Sequence, residues 1–374
     1  MLFEGFSVAN EKPNVETFIN PIIMQLKKLE YGIDLLIENV MLNRKFFLIA
    51  GVFDKPAKSM FLNIMSCNGE YGCHICEQPG ETFKGKKCSV TFDKQAKGSR
   101  HIYKFNKSNP KGPLRTEESY QTALKKATVD NHSKGIKGIS LLSCLKYYKP
   151  ISSTCIDFMH SLLEGAIKNL LCYWFNSEFS TSAYSLRKYM QEIDNRLLSI
   201  TPPKFVPRTP RSIYCFNLWY AHEYLSFIIY YSLAVFRDIM QANYYSNLKK
   251  LILFMEIILS PSINKNDLRK AETVVFEFVE ELQELYPPSI MLSGVHEMLH
   301  LVDCTFRFGP LNTINCFQYE ELNRKLIGFI HGYDLIGEEL IKIFSTAQVL
   351  GEFSNSVKNN ALKEYIQEKL IFKT

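Results

Sequence analysis

Lys45 to Cys76 reads KFFLIAGVFDKPAKSMFLNIMSCNGEYGCHIC, and this stretch decides how the 374-residue chain is read. Lys45 to Phe53 is an apolar run closed by Asp54-Lys55-Pro56, which predicts a buried strand whose end points Asp54 into a site. A helix is expected from Ala57. Nineteen residues after Asp54 comes Cys73-x-x-Cys76. That spacing lets two thiolates hold one face of a metal through a tight turn, with Gly69 and Gly72 supplying the bends.

Working outward, His296 and His300 stand one helical turn apart and point the same way. With Cys73 and Cys76 they complete a donor set for one tetrahedral, structural zinc. Taken separately, each pair has a plainer reading, as free thiols in a loop or as core histidines. The segment His296-Glu297-Met298-Leu299-His300 also spells the H-E-x-x-H pattern of a zinc peptidase, with Glu297 as general base. Catalytic zinc needs an open position, whereas two further thiolates would close the shell. A third reading is a non-enzymatic scaffold held by structural zinc.

Glu320 follows His300 by 20 residues. Asp54 and Glu320 could together hold magnesium or manganese and activate a water or 3′-hydroxyl for phosphodiester chemistry. The plain alternative for each is a helix cap or first-turn acid. Ser153 to Met159 predicts a second buried strand, closed by Asp157 and His160, which could touch a phosphate or orient a catalytic group.

Helical spacing runs over residues 15–37, Ser161 to Phe175, most of 184–305, and Leu322 to Ile343. The expected class is α/β, or α+β with a large helical part. Four segments are expected: 1–78 with the C-x-x-C, a basic loop-rich 79–150, a mainly helical 151–310 ending in the histidine pair, and 311–374. The net charge of +6 is uneven, because residues 81–150 hold 16 Lys/Arg against 5 Asp/Glu. Lys84, Lys86, Lys87, Lys94, Lys97, Arg100, Lys104 and Arg115 are therefore candidate nucleic-acid contacts, with a solvated loop as the alternative. No apolar run is long enough for a membrane span and no secretory signal is visible, and ten unpatterned cysteines suit reduced thiols. An intracellular, nuclear or cytoplasmic, location is expected, with no membrane and no small-molecule cofactor.

The blocks Phe53-Asp54-Lys55-Pro56-Ala57 and Asn68 to Cys76 resemble the CACTA (En/Spm-type) transposase family. So do Gly135-Ile136-Lys137-Gly138, Asp157 to His160 with Leu163-Glu164-Gly165, Arg208 to Ser212, His296 to His300, Gly309-Pro310, and Cys316 to Asn323. The resemblance spans roughly residues 15–335. It implies a ribonuclease-H-like core split by a helical insertion, related to Transib transposases and the V(D)J recombinase core. It further implies Asp54 and Glu320 as second and third acids, Asp157 and His160 as the family's D-x-x-H, and Cys73, Cys76, His296 and His300 as zinc ligands. DNA, in the form of transposon ends, is the implied partner, and a homodimer is compatible. The family's first Asp lies well upstream of the second. No counterpart precedes Asp54 here, so the expectation is an amino-terminally truncated, catalytically impaired descendant with an incomplete core.

Overall fold

The computed structural model describes residues 14–83, 100–128, 131–204, 206, 209–328, 336–362 and 364. The chain divides into two compact units, one of residues 48–315 and one of residues 1–47 with 316–374. Helix dominates, and among the described residues the strands form three separate two-stranded sheets.

The smaller unit begins with α1 (Val15–Tyr31), whose first turn is closed by Asn14 accepting from the Glu16 and Thr17 amides. The expected helix to residue 37 stops six residues early, because Gly32 takes φ +115° and turns the chain out of the helix. A hairpin follows, β1 (Ile33–Ile37) against β2 (Val40–Arg44), antiparallel with Ile37 opposite Val40. Glu38 and Asn39 both have positive φ, the conformation that a two-residue hairpin loop demands. Asp34 therefore lies on a strand, where its carboxylate accepts from Asn43 at 2.8 Å.

In the larger unit, β3 covers only Gly51–Phe53. The expected buried strand over 45–53 is corrected accordingly, since Phe46, Phe47 and Ile49 are exposed and only Gly51–Phe53 pair with another strand. Asp54 then caps α2 (Lys55–Phe61), with Pro56 in its first turn. The antiparallel pair β4 (Glu81–Phe83) and β5 (Arg100–Ile102) precedes α3 (Glu117–Lys126). The second expected strand is present as β6 (Thr154–Ile156), fully buried and parallel to β3, with Phe53 opposite Ile156.

A π-helical segment, Met159–Ile167, runs directly into α4 (Lys168–Phe175). The helical remainder is α5 (Met190–Leu198), α6 (Ala221–Ser226), a π turn at Phe227–Tyr231, α7 (Ser232–Phe236), α8 (Ala242–Ile258), α9 (Lys265–Leu285) and α10 (Ser293–Phe308). Aromatic side chains fill this core, with the Trp174 indole donating to the Tyr286 hydroxyl at 2.8 Å. The π segment and α10 cross at two glycines. A Cβ on Gly294 would stand 2.5 Å from the Ser161 carbonyl, and one on Gly165 would stand 3.6 Å from Gly294 Cα. That close approach sets α10 against the strand pair. The expected boundary at residue 78 falls inside this unit, which also holds the described parts of the basic segment.

Back in the smaller unit, α11 (Phe317–Ile327) carries Glu320 in its first turn, and α12 spans Ile336–Ser356. The single helix expected over 322–343 is thus two elements, with 329–335 outside the described residues. Among the described residues no helix is long and apolar enough to cross a membrane.

Candidate metal centre

The knuckle carrying Cys73 and Cys76 is held from several sides. Gly72 packs so tightly that a Cβ there would lie 2.1 Å from the Ser66 carbonyl, while the positive φ falls on Tyr71. The Arg115 amide donates to Ile75 O at 2.8 Å, and the Glu77 amide donates to Pro113 O at 2.7 Å. Tyr103 locks the loop from above. Its hydroxyl accepts from the Gly72 amide at 3.2 Å and faces the carbonyls of Gly69 and Cys67 at 3.0 and 3.3 Å.

Opposite the knuckle, α10 presents His296 and His300 from one buried face. The spacing read from sequence holds: Cys73, Cys76, His296 and His300 are all buried, and their ligand atoms lie within 4.8 Å of one another. Cys76 Sγ is 3.3 Å from His296 Nε2, which is 3.3 Å from His300 Nε2. A tetrahedral shell with ordinary zinc–sulfur and zinc–nitrogen lengths separates neighbouring donors by roughly 3.3–3.8 Å. The four side chains therefore fit a metal ion such as zinc, and two thiols with two imidazoles are the donor set that suits it. Tyr103 also stacks on the His296 ring at 4.6 Å and 17°, so one side chain fixes both halves of the ligand set.

Burial raises the Cys73 thiol, but the hydrogen bond from Cys76 and the fields of His300 and His296 outweigh it and hold Cys73 well below its ordinary range. Cys76 moves the other way, raised by its hydrogen bond to Cys73 and by burial. Metal binding requires both thiols as thiolates, so a bound cation would release their protons.

Glu297 sits between the two histidines and is itself buried. Lys58 Nζ donates to its Oε1 at 2.5 Å, and Lys55 Nζ stands 3.4 Å from Oε2 as an ion pair. Burial pushes the Glu297 carboxyl up, but the two lysines prevail and bring it to about 2. So low a value, with both oxygens facing ammonium groups, makes it a poor general base. The geometry opposes the peptidase reading on two counts, a closed four-ligand set and an occupied base.

His74, between the cysteines, is buried with Nε2 3.2 Å from Thr154 O. Burial, then the Lys58 charge, lowers it to about 3, so the imidazole is neutral.

Of the candidate acids, Asp54 and Asp157 each follow directly on the paired residues Phe53 and Ile156. They stand level at the carboxyl ends of adjacent parallel strands. Asp54 Oδ1 accepts from the Ala57 amide at 2.6 Å, and Asp157 Oδ2 accepts from the His160 amide at 3.1 Å and lies 2.5 Å from His160 Nδ1. Both carboxylates thus do helix-capping work. Asp54 joins no metal-capable group among the described residues. Glu320 is exposed and belongs to the smaller unit.

The basic segment needs one firm correction. Arg115, expected to contact nucleic acid, is buried, and its guanidinium donates to the carbonyls of Cys73 at 3.1 Å, Tyr71 at 3.2 Å and Lys134 at 2.7 Å. It is a strut of the knuckle. Lys104 is exposed but paired with Glu81 at 2.6 Å, and Arg100 is partly buried on β5. Lys84, Lys86, Lys87, Lys94 and Lys97 lie outside the described residues. The residues that sequence reading missed are Tyr103, Lys58, His74 and Arg115 in its structural role. Nothing in their local sequence marks them, since each acts through a partner tens or hundreds of positions away.

No protein-family model and no curated protein matches this chain.

Proposed function

We propose that this chain is a transposase-derived, zinc-stapled protein that binds DNA and has lost strand-cleaving chemistry. The observation that carries the reading is the meeting of Cys73 and Cys76 with His296 and His300 in one buried cluster, across more than 200 residues of sequence. Such a cluster closes a shell and serves structure, since metal binding free energy then becomes folding free energy. The parallel pair β3–β6 with an Asp after each strand is compatible with part of a ribonuclease-H-like core, the fold that the sequence resemblance implies. The capped state of Asp54 supports impaired chemistry. With Arg115 buried, DNA contact would rest on Lys84, Lys86, Lys87, Lys94 and Lys97, with Arg100 and Lys104 beside them.

The test pairs metal content with duplex binding on the purified chain. One zinc per protomer is expected, lost in both Cys73→Ser and His300→Ala. Binding to duplex DNA should weaken steeply with salt. Alanine at Lys84, Lys86 and Lys87 should flatten that slope by about 2–3, since each phosphate contact contributes about 0.9. Zinc kept by Cys73→Ser, or magnesium-dependent nicking abolished by Asp54→Ala, would overturn the reading.

A further inference from the structure

Within the larger unit, a pocket opens between α5, the segment Thr209-Pro210-Arg211, and the helical turns around Trp219 to Tyr231. Leu197, Pro210, Trp219 and Phe227 give it apolar walls. The enclosed space has room for a group about the size of one water molecule, enough for a carbonyl oxygen with the rest of its compound at the mouth. The Trp219 and Phe227 rings lie 5.2 Å apart. The π turn Phe227–Tyr231 sets both Phe227 and Tyr231 on the pocket wall, and such turns recur at ligand sites.

Two buried donors on this wall lack a partner among the described residues. Trp219 and Tyr231 are 6% and 4% exposed, and the Trp219 Nε1–H and the Tyr231 hydroxyl are buried without a hydrogen bond among the described residues. Buried donors of this kind carry an uncompensated desolvation cost until an acceptor arrives. An indole N–H can only donate, so whatever fills the pocket must accept. Charge narrows the class further. Arg211 Nη1 lies 3.1 and 3.3 Å from the two Glu223 oxygens, and Glu223 Oε2 also accepts from the Tyr220 amide at 2.8 Å. Among the described residues, the one guanidinium lining the pocket is thus already neutralised, so an anion would be desolvated with no surplus guanidinium charge to meet it. A carbonyl oxygen has two lone pairs and no charge, so it can take both orphan donors.

We propose that this pocket takes a small uncharged carbonyl compound, held through Trp219 Nε1–H and the Tyr231 hydroxyl. The chain has two tryptophans, and Trp174 already donates to Tyr286, so its indole serves as an internal control. In nitrogen-15 spectra of the full chain, Trp219→Phe assigns the two indole resonances, and Trp174→Phe assigns them independently if the first variant misfolds. Titration with 2-pyrrolidone at millimolar concentrations should then move the Trp219 signal saturably and leave Trp174 still, while sodium acetate moves neither. Tyr231→Phe should weaken the 2-pyrrolidone response about fivefold. A Trp219 signal unmoved by 2-pyrrolidone would mean that water alone fills the pocket and would overturn the proposal. So would an equal or stronger response to acetate, which would place an anion there instead.

Discussion

The ammonium of Lys58 lies 2.5 Å from Oε1 of Glu297, and both side chains are buried, at 3% and 2% exposure. Lys58 stands on α2 and Glu297 on α10, so the pair ties the helix that Asp54 caps to the helix that carries the histidines. Removing one partner strands a buried charge, which costs on the order of 3–5 kcal/mol, whereas exchanging both for apolar residues is often neutral. Glu297→Gln should therefore destabilise the chain in urea by about 3 kcal/mol, and Lys58→Met with Glu297→Leu should recover most of the loss. A Glu297→Gln variant as stable as wild type would refute the structural role of the pair.

Arg115 separates structure from recognition. Its three hydrogen bonds to the carbonyls of Cys73, Tyr71 and Lys134 make it part of the knuckle. Arg115→Ala leaves three carbonyls short of a donor, of which the buried one of Cys73 costs roughly 1–3 kcal/mol. We expect a lower melting temperature and weaker zinc retention against a chelator, while the salt slope of DNA binding stays within about 0.3 of wild type. Lys104→Ala, at an exposed ion pair, should leave the melting temperature unchanged. A salt slope flattened by about one unit in Arg115→Ala would return this residue to the DNA-contacting set.

How legible this was in sequence differs from residue to residue. The cysteine and histidine pairs could be matched because ligand chemistry and spacing are local properties, and the buried strand at Thr154–Ile156 announced itself as a short apolar run. Arg115 could not be read, because a count of basic residues carries no information about burial, and a guanidinium can serve as well inside a loop as on a surface. The apolar run from Lys45 misled for a related reason. Hydrophobicity marks what could be buried, but the ladder partner decides, and β6 is only three residues long. The helix over 15–37 was overextended because the apolar spacing persists into β1, while Gly32 and the positive φ of Glu38 and Asn39 turn the chain.

The glycine crossing between the π segment and α10 should be intolerant of a single methyl group. A Cβ at Gly294 would meet the Ser161 carbonyl at 2.5 Å and the Ala166 nitrogen at 3.1 Å, both backbone atoms that cannot swing aside. Gly294→Ala must therefore push α10 away from the π segment, at about 1–3 kcal/mol. Because His296 lies only two residues on, the same displacement should loosen the ligand set. We expect thermal unfolding at lower temperature together with faster zinc loss to a chelator. Unchanged zinc retention would show that the crossing does not position the histidines.

His74 gives the fold a defined response to acid. Its ring is buried, its Nδ1 lacks a hydrogen bond among the described residues, and burial with the Lys58 charge lowers it from 6.5 to about 3. A histidine depressed in the folded state binds its proton more readily when unfolded. Its contribution is therefore complete above pH 6.5 and is lost progressively as pH falls from 6.5 toward 3. At pH 5 the unfolded chain has gained about 1.5 pH units of protonation advantage, or about 2 kcal/mol. Other carboxylates and the metal ligands also respond to acid, so the quantity that isolates His74 is a difference between chains. In urea unfolding at pH 7 and pH 5, wild type should lose about 2 kcal/mol more than His74→Gln, which carries no titrating ring. Parallel losses in the two proteins would mean that His74 is protonated in the fold and that the Thr154 carbonyl, not desolvation, governs its charge.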